Sequence, residues 1–229
     1  MIKNSLLRNL LFTFISFIPA IYLLVTWGNI PATAPTHFGL NGPDQYAPKE
    51  TLRTIVIALS AVTAGVYFLM QYLYKIDPKR LNKPQSPVFN KMASGLVLFL
   101  SAINIVLVYT ALHIGAGAEK ITMVLSGLLF AFLGNIMYSL KPNYFAGIKI
   151  PWTLSSDYNW RKTHQLAGVL WFTGGILLTI ASLIFSYEIV SRMTLYVVLI
   201  LTIIPIGYSY FIFRKEQNTP RIDNAKNEQ

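Results

Sequence analysis

The sequence predicts an all-α membrane protein with six transmembrane helices, cytoplasmic N- and C-termini, one ordered outer loop and one amphipathic inner loop. Three observations carry that prediction. Only 12% of the 229 residues are charged and mean hydropathy is +0.49, where a soluble globular chain has about 25% charged residues. Six stretches of 19 to 21 residues contain no Asp, Glu, Lys, Arg or His. Each can cross about 30 Å of hydrocarbon at ~1.5 Å per residue. The charges that remain fall unequally between alternate loops.

The spans are read at 10–28, 54–74, 92–112, 121–140, 165–185 and 193–213. The first two, with the outer loop 29–53 between them, form an N-terminal two-helix unit over 1–74. A cytoplasmic basic linker follows at 75–91, then a four-helix unit over 92–213 that contains the inner loop 141–164, then a cytoplasmic tail at 214–229. No flanking piece exceeds 25 residues, and fewer than about 40 residues seldom fold alone, so a soluble catalytic or DNA-binding domain is excluded. The apolar run from Leu10 to Trp27 is longer than a signal-peptide core, and Pro35 follows the small-residue motif Ala32-Thr33-Ala34. The first span therefore reads as an uncleaved anchor.

Inside the spans the informative residues read as structural. Pro19 and Pro205 each remove an i→i−4 hydrogen bond. Ser60/Ala64, Ala61/Gly65 and Gly127/Ala131 have the spacing that lets helices approach closely, and Gly168 and Gly175 offer a similar seam. Trp27, Tyr72, Tyr74, Tyr138, Tyr208 and Tyr210 fit aromatic belts near the span ends. Asn104, near the middle of a span, reads as interhelical glue.

With the N-terminus placed in the cytoplasm, the inner pieces hold 15 basic and 5 acidic residues and the outer pieces 4 of each. Lys and Arg gather on the cytoplasmic side of membrane proteins, so the whole net charge of +10 is an orientation signal. It is also available to anionic lipid or an acidic partner surface, and it does not indicate nucleic acid. The absence of cysteine excludes disulfides and thiolate sites. No ionisable residue lies in a span core, where ion-coupled transporters usually carry one. A passive transporter or flippase-like protein is the alternative left by six spans with two prolines.

The outer loop carries Pro31, Pro35, Pro43 and Pro48, with Gly39 and Asn41-Gly42 as turn formers. It is expected to be ordered against the bundle, with His37, Asp44 and Lys49 as polar handles. Two ligands fall short of a zinc site, so no metal is expected. The inner loop mixes Lys141, Lys149, Arg161 and Lys162 with Tyr144, Phe145, Trp152, Tyr158 and Trp160. Thr153, Ser155 or Ser156 is placed to cap a helix on which Trp160, Thr163, His164 and Gly168 share one face. This composition suits either a lipid-interface helix or a docking platform for a cytoplasmic partner. Asp157 and His164 are two helical turns apart, about 10 Å along the axis, and no activated nucleophile accompanies them. No enzyme activity and no cofactor are expected.

The two loops carry a resemblance. Gly134-Asn135, then Pro142-Asn143-Tyr144-Phe145-Ala146-Gly147-Ile148-Lys149-Ile150-Pro151-Trp152-Thr153-Leu154, Trp160, Thr163-His164 and Gly168 resemble the signature of the SdpI immunity-protein family. Pro35-Thr36-His37-Phe38, Gly42-Pro43-Asp44, Tyr46 and Lys49 resemble the small domain of unknown function that often precedes it. Lys149-Ile150 departs from the family's usual Arg-Thr, exchanging a bidentate group for a point charge. The resemblance implies a multi-pass protein of the bacterial cytoplasmic membrane that gives immunity to a secreted toxic peptide. It also implies a signalling role, in which a cytoplasmic autorepressor is held at the membrane. On this reading His37, Phe38, Asp44, Tyr46 and Lys49 face the toxin. The inner partner loop is then made of Asn135, Asn143, Phe145, Gly147, Lys149, Pro151, Trp152, Thr153, Trp160, Thr163 and His164.

Overall fold

The computed structural model describes residues 5–76, 78, 87–114, 117 and 119–218. Residues 77 and 79–86 of the expected linker, and 219–229 of the expected tail, lie outside the described residues. In chain order the helices are α1 (Ser5–Thr26), α2 (Lys49–Ile76), α3 (Pro87–Leu112), α4 (Glu119–Tyr138), the short α5 (Pro151–Ser155), α6 (Asp157–Ile184) and α7 (Tyr187–Asn218). All but α5 are long and apolar enough to cross a membrane. A helix satisfies its own backbone groups where no water can, which is why each charge-free run adopts this form. Six crossings return the chain to the side on which it starts.

The helices pack as two groups of three. α1, α2 and α3 pack on one another, as do α4, α6 and α7, and α3 also meets α4. Toward the end of the first group that carries the α1–α2 loop, Leu23, Leu52, Val56, Val108 and Ala111 form a core with Ala20, Ile30 and Ala34. Asn104 is buried between α3 and α2 and donates to the Val56 carbonyl at 3.0 Å and to Ser60 Oγ at 3.2 Å. In the second group α4 and α6 approach backbone to backbone. A Cβ on Gly134 would lie 2.8 Å from the Gly168 carbonyl, and one on Gly127 2.8 Å from the Gly175 carbonyl. The seam expected from Gly168 and Gly175 is therefore real, and Gly134 and Gly127 supply its other side.

Pro205 lies inside α7. It has no N–H to give the carbonyl four residues earlier, which is that of Leu201. The indole Nε1–H of Trp171, on α6, donates to that carbonyl at 2.9 Å. A buried helix defect is thus repaired by the neighbouring helix.

The loop between α1 and α2, expected on the outer side, is a β-hairpin of β1 (Thr33–Gly39) and β2 (Gly42–Pro48), antiparallel, running from the Thr33↔Pro48 pair to Gly39↔Gly42. Order was expected; strands were not, because proline argues against a central strand. With only two strands each has a free edge, which is where proline is tolerated. The register is irregular on both sides of His37, and Gly42 takes φ +112° at the turn, open to glycine and strained for other residues. A lone hairpin is at best marginally stable in water, so its docking on the bundle matters. Ala34, fully buried in the first group's core, provides the base.

Candidate functional site: a hairpin and a motif loop at opposite ends of the bundle

The hairpin tip is held by α7. Tyr187 Oη donates to the Gly39 carbonyl and Ser191 Oγ to the Leu40 carbonyl, both at 2.9 Å. The hairpin therefore rests on the first helix group at its base and on the second at its tip. Its exposed surface carries a His37 Nδ1–Asp44 Oδ1 contact of 2.6 Å, with the two side chains 58% and 49% exposed. Tyr46 is exposed and Phe38 half-buried. Lys49 sits at the start of α2, at the hairpin base, where its ammonium lies 4.7 Å from the Trp27 ring centroid and Arg53 lies 5.3 Å from the same ring. Among the described residues no three His, Cys, Asp or Glu side chains converge as a metal site.

At the other end of the bundle, five of the eleven motif residues, Asn143, Thr153, Trp160, Thr163 and His164, are buried. Asn143 is buried and makes four bonds. It donates to the Lys141 and Ala146 carbonyls at 3.0 and 3.1 Å, and accepts from Phe145 and Ala146 N–H at 2.9 and 2.7 Å. Thr153 Oγ1 lies 2.8 and 2.9 Å from the Ile148 and Ile150 carbonyls and accepts from Ile150 N–H at 3.1 Å. Trp160 Nε1 donates to the Leu140 carbonyl at 2.8 Å. Its ring stacks on His164 at a centroid distance of 4.0 Å.

The bonds of His164 fix its chemical form. A backbone N–H only donates, so Nε2, 2.9 Å from Ile148 N, carries the lone pair. A carbonyl only accepts, so Nδ1, 2.8 Å from the Trp160 oxygen, carries the proton. The imidazole is neutral and buried. Gly147, at φ +107°, passes directly over it, and a Cβ there would collide with Nε2.

The cap at the start of α6 is Ser156, whose Oγ accepts from Asn159 N–H at 3.1 Å. It also donates to Glu216 Oε1 on α7 at 2.8 Å. The shared face foreseen for Trp160, Thr163, His164 and Gly168 exists, and all four are buried. Thr163 bonds Asn159 Oδ1, which also accepts from Ser209 Oγ, while Asn159 Nδ2 donates to the Ser209 carbonyl. Trp152 packs on Tyr210 and Phe213, with ring centroids 5.8 and 5.9 Å away. Lys149 is exposed and its ammonium donates to the Phe145 carbonyl at 3.2 Å. Pro151 and Asn135 are also exposed, and Phe145 is half-buried. Asn135 lies on α4 and lines a shallow groove together with Gly134, Tyr138, Gly168 and Phe172.

Sequence reasoning passed over Tyr187, Ser191, Asn159 and Ser209. Only Asn159 carried a local signal, standing four residues before Thr163 in a helix, where side chains meet.

These features define a six-span integral membrane protein with one ordered polar element at each end of its bundle. Residues 139–209, the loop between α4 and α6 with α6 and most of α7, match the SdpI/YfhL protein family. Residues 14–68, which enclose the hairpin, match the Domain of unknown function (DUF1648). The "Immunity protein SdpI" of Bacillus subtilis (strain 168) is 23% identical over 217 residues, covering 91% of this chain and 97% of that protein. No solved structure matches the chain.

Proposed function

We propose that this chain is a non-enzymatic immunity protein of the bacterial cytoplasmic membrane, protecting its host from a secreted toxic peptide that meets the outer hairpin. The observation that carries this reading is the docked hairpin itself. It is ordered, anchored at base and tip, and exposes the His37–Asp44 pair and Tyr46. Pre-ordering of this kind lowers the entropy lost on binding. The likeness to an immunity protein over nearly its whole length supports the assignment. The excess of Lys and Arg at the other end of the bundle supports placing the hairpin outside.

The same reading gives the inner face a signalling role, the capture of a cytoplasmic autorepressor. The surface for it is not the buried motif residues but the exposed ones they position: Tyr144, Lys149, Pro151, Tyr158, Arg161 and Lys162.

The test is survival. A bacterium sensitive to the secreted peptide is transformed with the wild-type chain, with His37→Ala/Asp44→Ala, or with empty vector, and challenged with producer supernatant. Protection by the wild type and its loss in the inserted hairpin variant support the reading. Equal survival of wild type and empty vector, with membrane insertion verified, refutes it.

A further inference from the structure

Where α6 begins and α7 finishes, Tyr158, Tyr208, Phe211, Ile212, Lys215 and Glu216 line a groove of about 370 Å³. The charge-free run of α7 ends at Phe213, and Arg214 and Lys215 follow it. The groove therefore straddles the boundary between hydrocarbon and headgroups. Its lower wall, Tyr208 and Phe211, lies on the exposed surface of α7 within the last two turns before Arg214; Phe211 is 73% exposed. Its upper end is lined by Lys215 and Glu216, and Lys162, outside the lining, lies 5.9 Å from the Tyr158 ring centroid. Arg161 and Arg214 are exposed close by in the chain. The lining has one acid, Glu216, whose carboxylate accepts the Ser156 hydroxyl, and exposed Asp157 stands at the start of α6.

We propose that this groove is a binding site for one anionic phospholipid of the leaflet on the side of the termini. An acyl chain lies along Tyr208 and Phe211, and the headgroup phosphate lies toward Lys215 and Lys162. A phospholipid brings an apolar chain and an anionic group together at this depth. Tyrosine rings, apolar in body and polar at the tip, suit that boundary, and basic residues at a membrane surface favour anionic headgroups. The site is independent of the immunity reading.

The test uses the full chain equilibrated in vesicles of equimolar phosphatidylglycerol and phosphatidylcholine, followed by native mass spectrometry of retained lipid. The wild type is expected to retain phosphatidylglycerol in excess. Lys215→Gln and Lys162→Gln should each lower that excess up to about fivefold at low salt, while Lys215→Arg keeps it. Phe211→Ala should lower retention of both lipids. Lys141→Gln, which removes an exposed base at the same end but outside the groove, should change nothing. Equal retention of the two lipids by the wild type overturns the proposal. So does a Lys141→Gln loss as large as that of Lys215→Gln, because the preference would then be a diffuse charge effect. A thermal melt of each variant, expected unchanged for these exposed side chains, shows that the fold is common to all.

Discussion

Removing the bonds that pin the hairpin tip to α7 should free the hairpin without disturbing the bundle. Tyr187→Phe deletes the donor to Gly39 and keeps the ring, which is buried. Ser191→Ala deletes a donor shared between the Leu40 and Glu188 carbonyls. An intramolecular hydrogen bond contributes about 0.5–1.5 kcal/mol net. The shared donor and the exposed Leu40, whose carbonyl regains water, place Ser191 at the low end. The buried phenol places Tyr187 higher. Together they amount to about 1–2 kcal/mol, which is roughly a 5- to 30-fold rise in the population of undocked hairpin. Amide hydrogen exchange in detergent or nanodiscs reads this directly. Exchange across Thr33–Pro48 should accelerate by that factor, while exchange in α4 and α6 stays as in the wild type. Unchanged hairpin exchange would show that α7 does not hold the tip. Equal acceleration everywhere would show that hairpin and bundle open as one unit, and would refute the reasoning.

Three further outcomes follow from the packing. Gly134→Ala places a methyl 2.8 Å from the Gly168 carbonyl, against backbone that cannot yield cheaply, so the α4–α6 seam should lose about 1–3 kcal/mol, visible as a lower unfolding midpoint in denaturing detergent. Trp171→Phe leaves the Leu201 carbonyl unpaired beside Pro205 and should cost about 0.6–2 kcal/mol. In a Pro205→Ala background, where the helix supplies its own N–H, that cost should shrink, and a double-mutant cycle measures the difference. His164→Phe leaves the Ile148 N–H without its acceptor and should cost about 1–3 kcal/mol, with faster exchange or proteolysis confined first to residues 141–156.

The six spans were legible because charge-free runs of bilayer length have few other uses. A cap among Thr153, Ser155 and Ser156, and the Trp160–Thr163–His164–Gly168 face, were legible because both depend on spacing within one helix. The strands were not, since Pro35, Pro43 and Pro48 speak against a sheet unless the sheet has only edges. The tip anchor was not legible either. Tyr187 and Gly39 are 148 residues apart, and nothing local in either marks the other. The motif at 142–164 was visible as a pattern, but its physical meaning was not. Asn143, Thr153, Trp160 and His164 are buried because they spend their polar atoms on the backbone of the loop and of α6, which leaves Tyr144 and Lys149 between them exposed.

The most direct measurement of hairpin-centred immunity is site-specific photocrosslinking in living cells exposed to producer supernatant. A photoreactive residue replaces Tyr46, which is exposed on the hairpin, or Tyr158, which is exposed at the opposite end of the bundle. A peptide adduct at position 46 and none at position 158, in cells that survive, is the expected result. Surviving, protected cells with no adduct at position 46, or with adduct only at position 158, would contradict recognition by the hairpin.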